Sequence, residues 1–219
     1  MIRTKPVALR CAAVLVLLYA GCAGQMTKKY DRIGMLIRHT HENNRKACAA
    51  GCILFEGDSN LELIYVQDYF AGPACNYARR GSTTDDLLAR KEQVARLRPG
   101  VIILLAGGND LIKSTPYNKI AENYAALIRY YRSVTGSLYC ISNLPLSVHP
   151  KLFLKNSDII QLNRILENEC GKQGVAYVNA YPELLKNGIL NPGYAMDPVH
   201  LNQAGQKVLM NILKKQTGR

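Results

Sequence analysis

The sequence predicts an α/β protein built on a parallel β-sheet. Short apolar runs alternate with longer segments of helical periodicity along most of the 219 residues. Strands joined by right-handed helical crossovers lie parallel to one another, so this alternation predicts a parallel sheet. The apolar fraction of 48% is enough for a sizeable core, and no internal repeat or low-complexity segment is visible.

Each element has its own sequence signal. Five apolar runs have the length and composition of strands: Cys52–Glu56, Ala74–Tyr77, Val101–Leu105, Leu138–Ser142 and Ala176–Ala180. Five segments that follow them are expected to be helices: Leu61–Tyr69, Thr83–Arg98, Tyr117–Val134, Asp158–Lys172 and Ala204–Lys215. In the second helix the apolar residues fall largely on one face, and Thr83 or Thr84 can cap its start.

The N-terminal segment is typical of an export signal. Three basic residues (Arg3, Lys5 and Arg10) precede an apolar run over residues 11–20, which is followed by small residues. A retained membrane-spanning helix is the alternative, but a bilayer needs about 20 apolar residues and this run is about half that length.

The end of this segment, Tyr19-Ala20-Gly21-Cys22, resembles the lipobox of bacterial lipoproteins, although that pattern prefers leucine where Tyr19 stands. The resemblance implies that residues 1–21 are removed and that Cys22 carries a lipid anchor to a membrane. Ordinary secretion into the periplasm or beyond, with cleavage after Ala23, is the alternative.

The remaining chain is predicted to be a tether with one N-terminal helix (residues 22–50) and a folded domain (residues 51–219). Removal of residues 1–21, which carry three basic and no acidic side chains, lowers the net charge from +12 to 12 − 3 = +9. The basic residues are dispersed and no nucleic-acid motif is present, so nucleic acid is not predicted as a partner. A basic surface suits anionic partners such as phospholipid head groups or acidic glycans.

Seven cysteines bear on export and on metal binding. Cys11 leaves with the signal, Cys22 is the lipidation candidate, and five remain: Cys48, Cys52, Cys75, Cys140 and Cys170. An exported protein permits disulfides, but an odd number leaves at least one thiol unpaired. The Cys48-x3-Cys52 spacing has no matching second pair, so no metal site is predicted. Cys140 lies in an apolar strand and is expected to be a buried free thiol.

Two polar clusters contain the parts of a nucleophilic site. The run Ile53–Asn60 ends an apolar strand in Gly-Asp-Ser and places Ser59 at the strand's tip, where a helix N-cap is the simpler role. Near the C-terminus, Asp197 stands three residues before His200. A carboxylate at this spacing can bind the Nδ1–H of the imidazole and leave Nε2 free to take a proton from a serine. A solvated turn is the alternative.

Two further turns can supply hydrogen-bond donors. Gly81 offers a backbone N–H before a helix, and Asn109 offers a side-chain amide after an unbroken apolar strand. Ligands of parallel sheets lie beyond the carboxyl ends of the strands, so Ser59, Gly81 and Asn109 should meet at one edge. His149 also follows a strand and can border that pocket. The other histidines, His39 and His41, lie in a polar segment and are expected at the surface.

The order of these motifs resembles the SGNH (GDSL-type) hydrolase family over roughly residues 50–215. Gly57-Asp58-Ser59, the segment Asn76–Arg90, Gly107-Gly108-Asn109-Asp110 and Asp197-Pro198-Val199-His200 are similar to four of the family's conserved blocks. Further similarity to the platelet-activating-factor acetylhydrolase-like branch lies in Ser142–Leu146, Asn156, Leu162-Asn163 and His200–Asn202. Asn60 and Arg80 depart from the family pattern, and Arg80 can narrow the pocket or recognise an anionic substrate.

The resemblance implies a flavodoxin-like, three-layer α/β/α sandwich with a five-stranded parallel sheet. It implies Ser59 as nucleophile, His200 as base and Asp197 as its orienting carboxylate, with Ser59 N–H, Gly81 N–H and Asn109 as the oxyanion hole. The residues expected to contact substrate are Asp58, Arg80, Gly108, Pro145 and His149. No metal or organic cofactor is required.

The function expected from these residues is a serine esterase that acts on carboxylic esters, with O-acetyl groups on glycans as the leading substrates. Three alternatives remain open at this stage. They are a lysophospholipase or other lipid esterase, an O-acyltransferase that uses the same residues, and a non-catalytic glycan-binding lipoprotein.

Overall fold

Five strands form one parallel sheet in the order β2-β1-β3-β4-β5 in the computed structural model, which describes residues 48–149 and 153–218. The strands are β1 (Ile53–Gly57), β2 (Ala74–Asn76), β3 (Val101–Leu105), β4 (Ser137–Ile141) and β5 (Ala176–Val178). This is the flavodoxin-like order, in which the chain first builds one side of β1 and then reverses to build the other. The predicted fold class is confirmed, and all five predicted strands are present.

Helices of the described residues lie on both sides of this sheet. They are α1 (Ser59–Glu62), α2 (Thr84–Arg96), α3 (Gly108–Ile112), α4 (Tyr117–Val134), α5 (Asn156–Lys172) and α6 (Gln203–Thr217). Thr83, one of the two residues predicted to cap this helix, is the N-cap of α2 and forms a capping box with Asp86. The structure adds three features that the sequence pattern did not predict: α3, two short 3₁₀ turns (Val66–Asp68 and Pro182–Leu184), and a small antiparallel pair, β6 (Leu185–Lys186) and β7 (Ile189–Leu190).

Alternating residues of β1 point into two separate cores. Ile53 and Phe55 belong to a cluster that includes α1 and α6 residues, whereas Leu54 belongs to a cluster with α2, α4 and α5 residues. A strand that is buried on both faces is apolar throughout, which is why the runs in this sequence are continuous. The two cores leave the carboxyl ends of the strands as the edge where polar groups gather.

The predicted helix Leu61–Tyr69 is wrong. Helix α1 ends at Glu62, and a separate 3₁₀ turn occupies Val66–Asp68. The side-chain amide of buried Asn76, on the neighbouring strand β2, donates hydrogen bonds to Leu61 O at 2.6 Å and Ile64 O at 3.0 Å. These carbonyls are therefore used by a tertiary contact instead of by a continuing helix.

One disulfide, Cys48–Cys75, joins the start of the described chain to β2. Cys52, Cys140 and Cys170 are free and buried, which confirms the prediction for Cys140 and the expectation of an unpaired thiol.

The predicted signal segment, Cys22, His39, His41 and the tether up to residue 47 lie outside the described residues; residues 48–50 contain no helix. No helix within the described ranges combines the length and apolar character needed to cross a bilayer.

Gly57, the last residue of β1, allows a close backbone approach. Its φ is +155°, and a Cβ at this position would lie 2.2 Å from Leu105 O on β3. We therefore expect Gly57→Ala to lower the free energy of unfolding by at least about 2 kcal/mol, because β1 and β3 must separate. Chemical denaturation measures this loss. The exposed Gly72 has no atom within 4 Å of the same position, so Gly72→Ala is the control, and equal stability of the two variants would contradict the assigned packing.

Candidate active site

Ser59 stands at the start of α1, directly after β1. Asp58 caps the helix, since its Oδ1 accepts the Asn60 N–H at 2.9 Å. Ser59 is half-buried, and its backbone N–H has no acceptor among the described residues. The serine therefore presents both a hydroxyl and a free N–H at the carboxyl end of the sheet. Asp58 is therefore the N-cap of α1, and the N-cap role considered for Ser59 is wrong by one residue.

The Ser59 hydroxyl is hydrogen-bonded to His200, which lies 141 residues further along the chain. Ser59 Oγ and His200 Nε2 are 2.8 Å apart. On the other side of the ring, His200 Nδ1 is 2.7 Å from Asp197 Oδ2. Asp197 Oδ1 also accepts the backbone N–H groups of Val199 and His200, each at 2.8 Å. The carboxylate is thus fixed by backbone groups of its own loop as well as by the imidazole.

The loop that carries Asp197 and His200 is fastened at several points. Met196 N–H donates to His200 O and Ser147 N–H donates to Pro198 O, both at 2.9 Å. Val199 packs against a small apolar cluster formed by Leu146, Ile159 and Tyr181. Asn202 then begins α6 by accepting the Gly205 N–H at 3.1 Å.

Asp197 is held as an anion although it is partly buried. Partial burial raises the pKa of Asp197, but the hydrogen bond and charge of His200 and the two backbone N–H bonds outweigh this, and the pKa lies below its ordinary value. A carboxylate that stays ionised can orient a neutral imidazole and stabilise the imidazolium that forms when the ring accepts a proton.

Gly81 follows β2 and Asn109 follows β3, the strands on either side of β1, so both lie at the same edge of the sheet as Ser59. Gly81 has a left-handed backbone (φ +72°), and its N–H has no acceptor among the described residues. Asn109 Nδ2 donates to Ser82 O at 3.1 Å, which ties α3 to the Gly81 loop and leaves the second amide hydrogen available. Three donors therefore follow three adjacent strands at one edge of the sheet.

A layer of buried charge underlies this edge. Glu56 and Arg90 form an ion pair that is almost fully excluded from solvent, and Arg90 also donates to Ser82 Oγ at 2.7 Å. Sequence reasoning missed these three residues. The available signal was the single charged residue inside the apolar run of β1, since a buried carboxylate demands a partner.

Asp110 is a second buried acid that joins two elements of the site. It accepts the Thr84 N–H at 2.9 Å and the Thr84 hydroxyl at 2.6 Å. The start of α2 is thereby held against α3, the helix that carries Asn109.

The residues predicted to contact substrate occupy different places. Arg80 donates through Nε to Glu62 Oε2 at 2.8 Å, and its side chain is about half exposed. A Cβ at Gly108 would lie 3.9 Å from Asp58 Oδ2, so Gly108 borders the cap of α1. Pro145 is buried. His149 lines a small open cavity of about 210 Å³ together with neighbouring residues that include Leu146 and Asn156. No group of metal-binding side chains occurs within the described ranges.

A flavodoxin-like sheet with this serine, imidazole and carboxylate at its strand ends defines the class of SGNH-type hydrolases. The sequence model of the GDSL-like lipase/acylhydrolase family matches residues 59–208 of this chain, well over half of its length. The chain belongs to that family, and it is a carboxylic ester hydrolase. A comparison with curated proteins finds no match.

Several solved structures share the fold. A candidate acylhydrolase from Bacteroides fragilis has a TM-score of 0.71 at 20% identity, over 82% of this chain and 94% of its own. A candidate platelet activating factor from Streptococcus pneumoniae gives 0.68 at 23%, over 87% and 98%. An acetylxylan esterase from Geobacillus stearothermophilus gives 0.65 at 16%, over 79% and 97%. At these identities the likeness establishes the common fold.

Burial makes Asp58 sensitive to pH. Desolvation raises the pKa of Asp58 from 3.8 to about 6, although the Asn60 N–H and the charge of His200 oppose the rise. A carboxyl whose pKa is higher in the folded state stabilises the fold below its unfolded pKa and loses that contribution as the pH rises through the folded pKa.

We therefore expect Asp58→Asn, which keeps an acceptor for the cap, to gain about 2 kcal/mol of unfolding free energy relative to the wild type between pH 4 and pH 7. Denaturant unfolding of both proteins across this range gives the difference. A difference that stays constant with pH would show that Asp58 titrates as an ordinary surface carboxyl.

Proposed function

We propose that the protein hydrolyses esters through a Ser59–His200–Asp197 catalytic triad. The observation that carries the proposal is the continuous hydrogen-bonded path from Ser59 Oγ through both ring nitrogens of His200 to the Asp197 carboxylate. A serine hydroxyl is a weak nucleophile until a base takes its proton, and this path supplies the base and its orienting anion.

In the proposed reaction, Ser59 Oγ attacks the acyl carbonyl carbon while His200 Nε2 accepts the hydroxyl proton. The tetrahedral intermediate collapses when His200 returns that proton to the leaving alcohol, and an acyl-enzyme remains on Ser59. Water then attacks the acyl-enzyme with His200 again as base, and the acid is released. The ionised Asp197 keeps Nδ1 protonated throughout.

The oxyanion formed in both steps would be held by Ser59 N–H, Gly81 N–H and the free hydrogen of Asn109 Nδ2. Both backbone donors lack other acceptors among the described residues, which favours this assignment. Each well-placed donor contributes about 10²–10³-fold to turnover in measured serine hydrolases.

We infer that the substrates are O-acetyl groups on glycans, and anionic glycans in particular. The fold is shared with an acetylxylan esterase. Arg80 adds a charge at the edge of the site: it precedes Gly81, and it is tied to Glu62, one turn after Ser59 on α1. Its Nη groups have no partner among the described residues, so they can receive a carboxylate or sulfate.

Lipid esters are the second candidate because apolar side chains stand exposed near the histidine loop. Met196, next to Asp197, is 55% exposed, and Val148, next to Ser147, is 81% exposed. Ser147 is hydrogen-bonded to Pro198 within the Asp197–His200 loop. Exposed apolar groups beside a site suit acyl chains or a lipid surface.

The same proposal includes export, with Cys22 as a lipid-bearing residue. The Cys48–Cys75 disulfide supports an oxidising compartment, since disulfides persist outside the cytosol. Incorporation of labelled palmitate into the wild type, but not into Cys22→Ala, tests the anchor. Release of soluble protein from both would favour ordinary secretion.

Replacing Ser59 tests the proposed mechanism. We expect Ser59→Ala to lower kcat for p-nitrophenyl acetate by at least about 10³-fold, because the substitution removes the hydroxyl that would form the acyl-enzyme. Stopped assays with circular dichroism on the same samples separate chemistry from folding. The control is Ser133→Ala, an exposed serine on α4, which should keep wild-type turnover.

Covalent labelling shows whether Ser59 is a reactive nucleophile, and it can contradict the proposed mechanism. A fluorophosphonate probe should label the wild type at Ser59 and leave Ser59→Ala unlabelled. An unlabelled wild-type protein that still binds glycans would instead indicate a binding module. Products analysed with an acceptor sugar present distinguish acyl transfer from hydrolysis.

Arg80 provides a test of substrate charge. We expect Arg80→Gln to reduce kcat/KM for acetylated uronic-acid oligosaccharides by about 10-fold, which is the loss of one charge-assisted contact, and to leave neutral acetylated xylo-oligosaccharides within about twofold. Arg164→Gln, at an exposed position on α5, should change neither rate. Equal loss on both substrates would argue that Arg80 only shapes the pocket.

A further inference from the structure

We propose that Arg90 is a positioning residue that sets the geometry of the oxyanion hole without touching substrate. Arg90 projects from α2, and its side chain is 7% exposed. It contacts both the end of β1, two residues before Ser59, and the Gly81–Ser82 turn, so it reaches the chain next to both proposed backbone donors. The inference rests on the proposed function, because it takes Ser59 as the nucleophile.

The first set of contacts fixes the end of β1. Arg90 Nε donates to Glu56 Oε1 at 3.0 Å, and Nη2 contacts the same oxygen. Nη2 also donates to Gly57 O at 3.0 Å, while Glu56 Oε1 accepts the Gly57 N–H at 3.0 Å. Both backbone polar groups of Gly57 are thus held two residues before Ser59.

The second set of contacts fixes the turn after β2. Arg90 Nη1 donates to Ser82 Oγ at 2.7 Å. Ser82 follows Gly81 directly, and its carbonyl oxygen accepts Asn109 Nδ2 at 3.1 Å. A shift of Ser82 would therefore displace the Gly81 N–H and release the Asn109 amide at the same time.

Arginine suits this role because its guanidinium is planar and carries donors in fixed directions. Nη1 reaches the turn while Nε and Nη2 reach the strand, so the distance between the two segments is set by one rigid group. A lysine ammonium keeps the charge but has a single nitrogen, and it cannot span both.

The energetics favour a positioning role over a stabilising one. Burying an ion pair costs desolvation that its attraction often only offsets. Glu56 Oε2 is buried without a hydrogen-bond partner among the described residues, so this pair is not fully satisfied. Ser82 Oγ and Gly57 O, in contrast, are bound at normal distances.

The test uses Ser82→Ala, which removes the hydroxyl that Arg90 grips and leaves the Glu56–Arg90 pair in place. We expect kcat for p-nitrophenyl acetate to fall about 10-fold or more while KM stays within about twofold, because the affected donors act on the transition state. Acylation and deacylation both form an oxyanion, so turnover reports on the hole whichever step is slower.

The control is Thr135→Val, which removes a hydroxyl bonded to Gly100 O at 2.8 Å, before β3 and hence at the opposite edge of the sheet. It should keep wild-type kcat even where its melting temperature falls as far as that of Ser82→Ala. A Ser82→Ala variant with kcat within twofold of the wild type, assayed well below its melting temperature, would overturn the proposal.

A second variant tests whether the effect passes through Arg90. Arg90→Lys should also lower kcat. The double variant Ser82→Ala/Arg90→Lys should be no slower than the slower single variant, because both substitutions break the same contact between Arg90 and Ser82. Multiplied losses would contradict this. Fluorophosphonate labelling of wild-type Ser59 is assessed separately, so a failure of the proposed nucleophile cannot be mistaken for a failure of Arg90 as its positioning residue.

Discussion

The carboxyl end of β1 depends on a charge pair that water does not reach. Glu56 is fully buried inside an otherwise apolar strand. Burial raises its pKa, and the Arg90 guanidinium opposes this rise through its charge and hydrogen bonds. Either charge alone would be costly at this position, because an unpaired buried ion loses its hydration without compensation. Strand β1 and helix α2 must therefore keep their relative position. The Gly81–Ser82 turn is held with them, because Arg90 also donates to Ser82 Oγ.

The strand order explains why distant residues converge. With β2 and β3 on either side of β1, Gly81, Ser59 and Asn109 come from adjacent strand ends. The histidine loop reaches the same place from the C-terminal side, and its hydrogen bond to Ser59 joins the two parts. The parallel topology thus brings the proposed donors together, while the loop carries the proposed base and carboxylate.

Sequence patterns predicted the strands and long helices well because their signals are local. Buried parallel strands are continuously apolar, and α4 shows a clear helical period, so these elements could be placed to within a few residues. The helix predicted at Leu61–Tyr69 failed because its carbonyls accept the Asn76 amide, a contact made only after folding. The Arg90–Ser82 contact was missed for the same reason: Arg90 looked like one charged residue among several on α2, and only the tertiary structure shows that it is buried.

The two halves of the proposed site are supported by contacts that differ in their exposure to solvent. Asp197 is 42% exposed, so solvent screens its attraction for His200, and its value lies in orienting the ring. The donors beside Ser59 are not buried themselves, since Gly81 is exposed and Ser59 and Asn109 are half-buried, but they rest on a buried layer formed by Glu56, Arg90 and Asp110. Donors that a buried network holds in place do not have to reorient when negative charge develops beside them. In the proposed reaction, the buried layer would therefore fix the positions of the oxyanion donors, and the histidine loop would carry out the proton transfer.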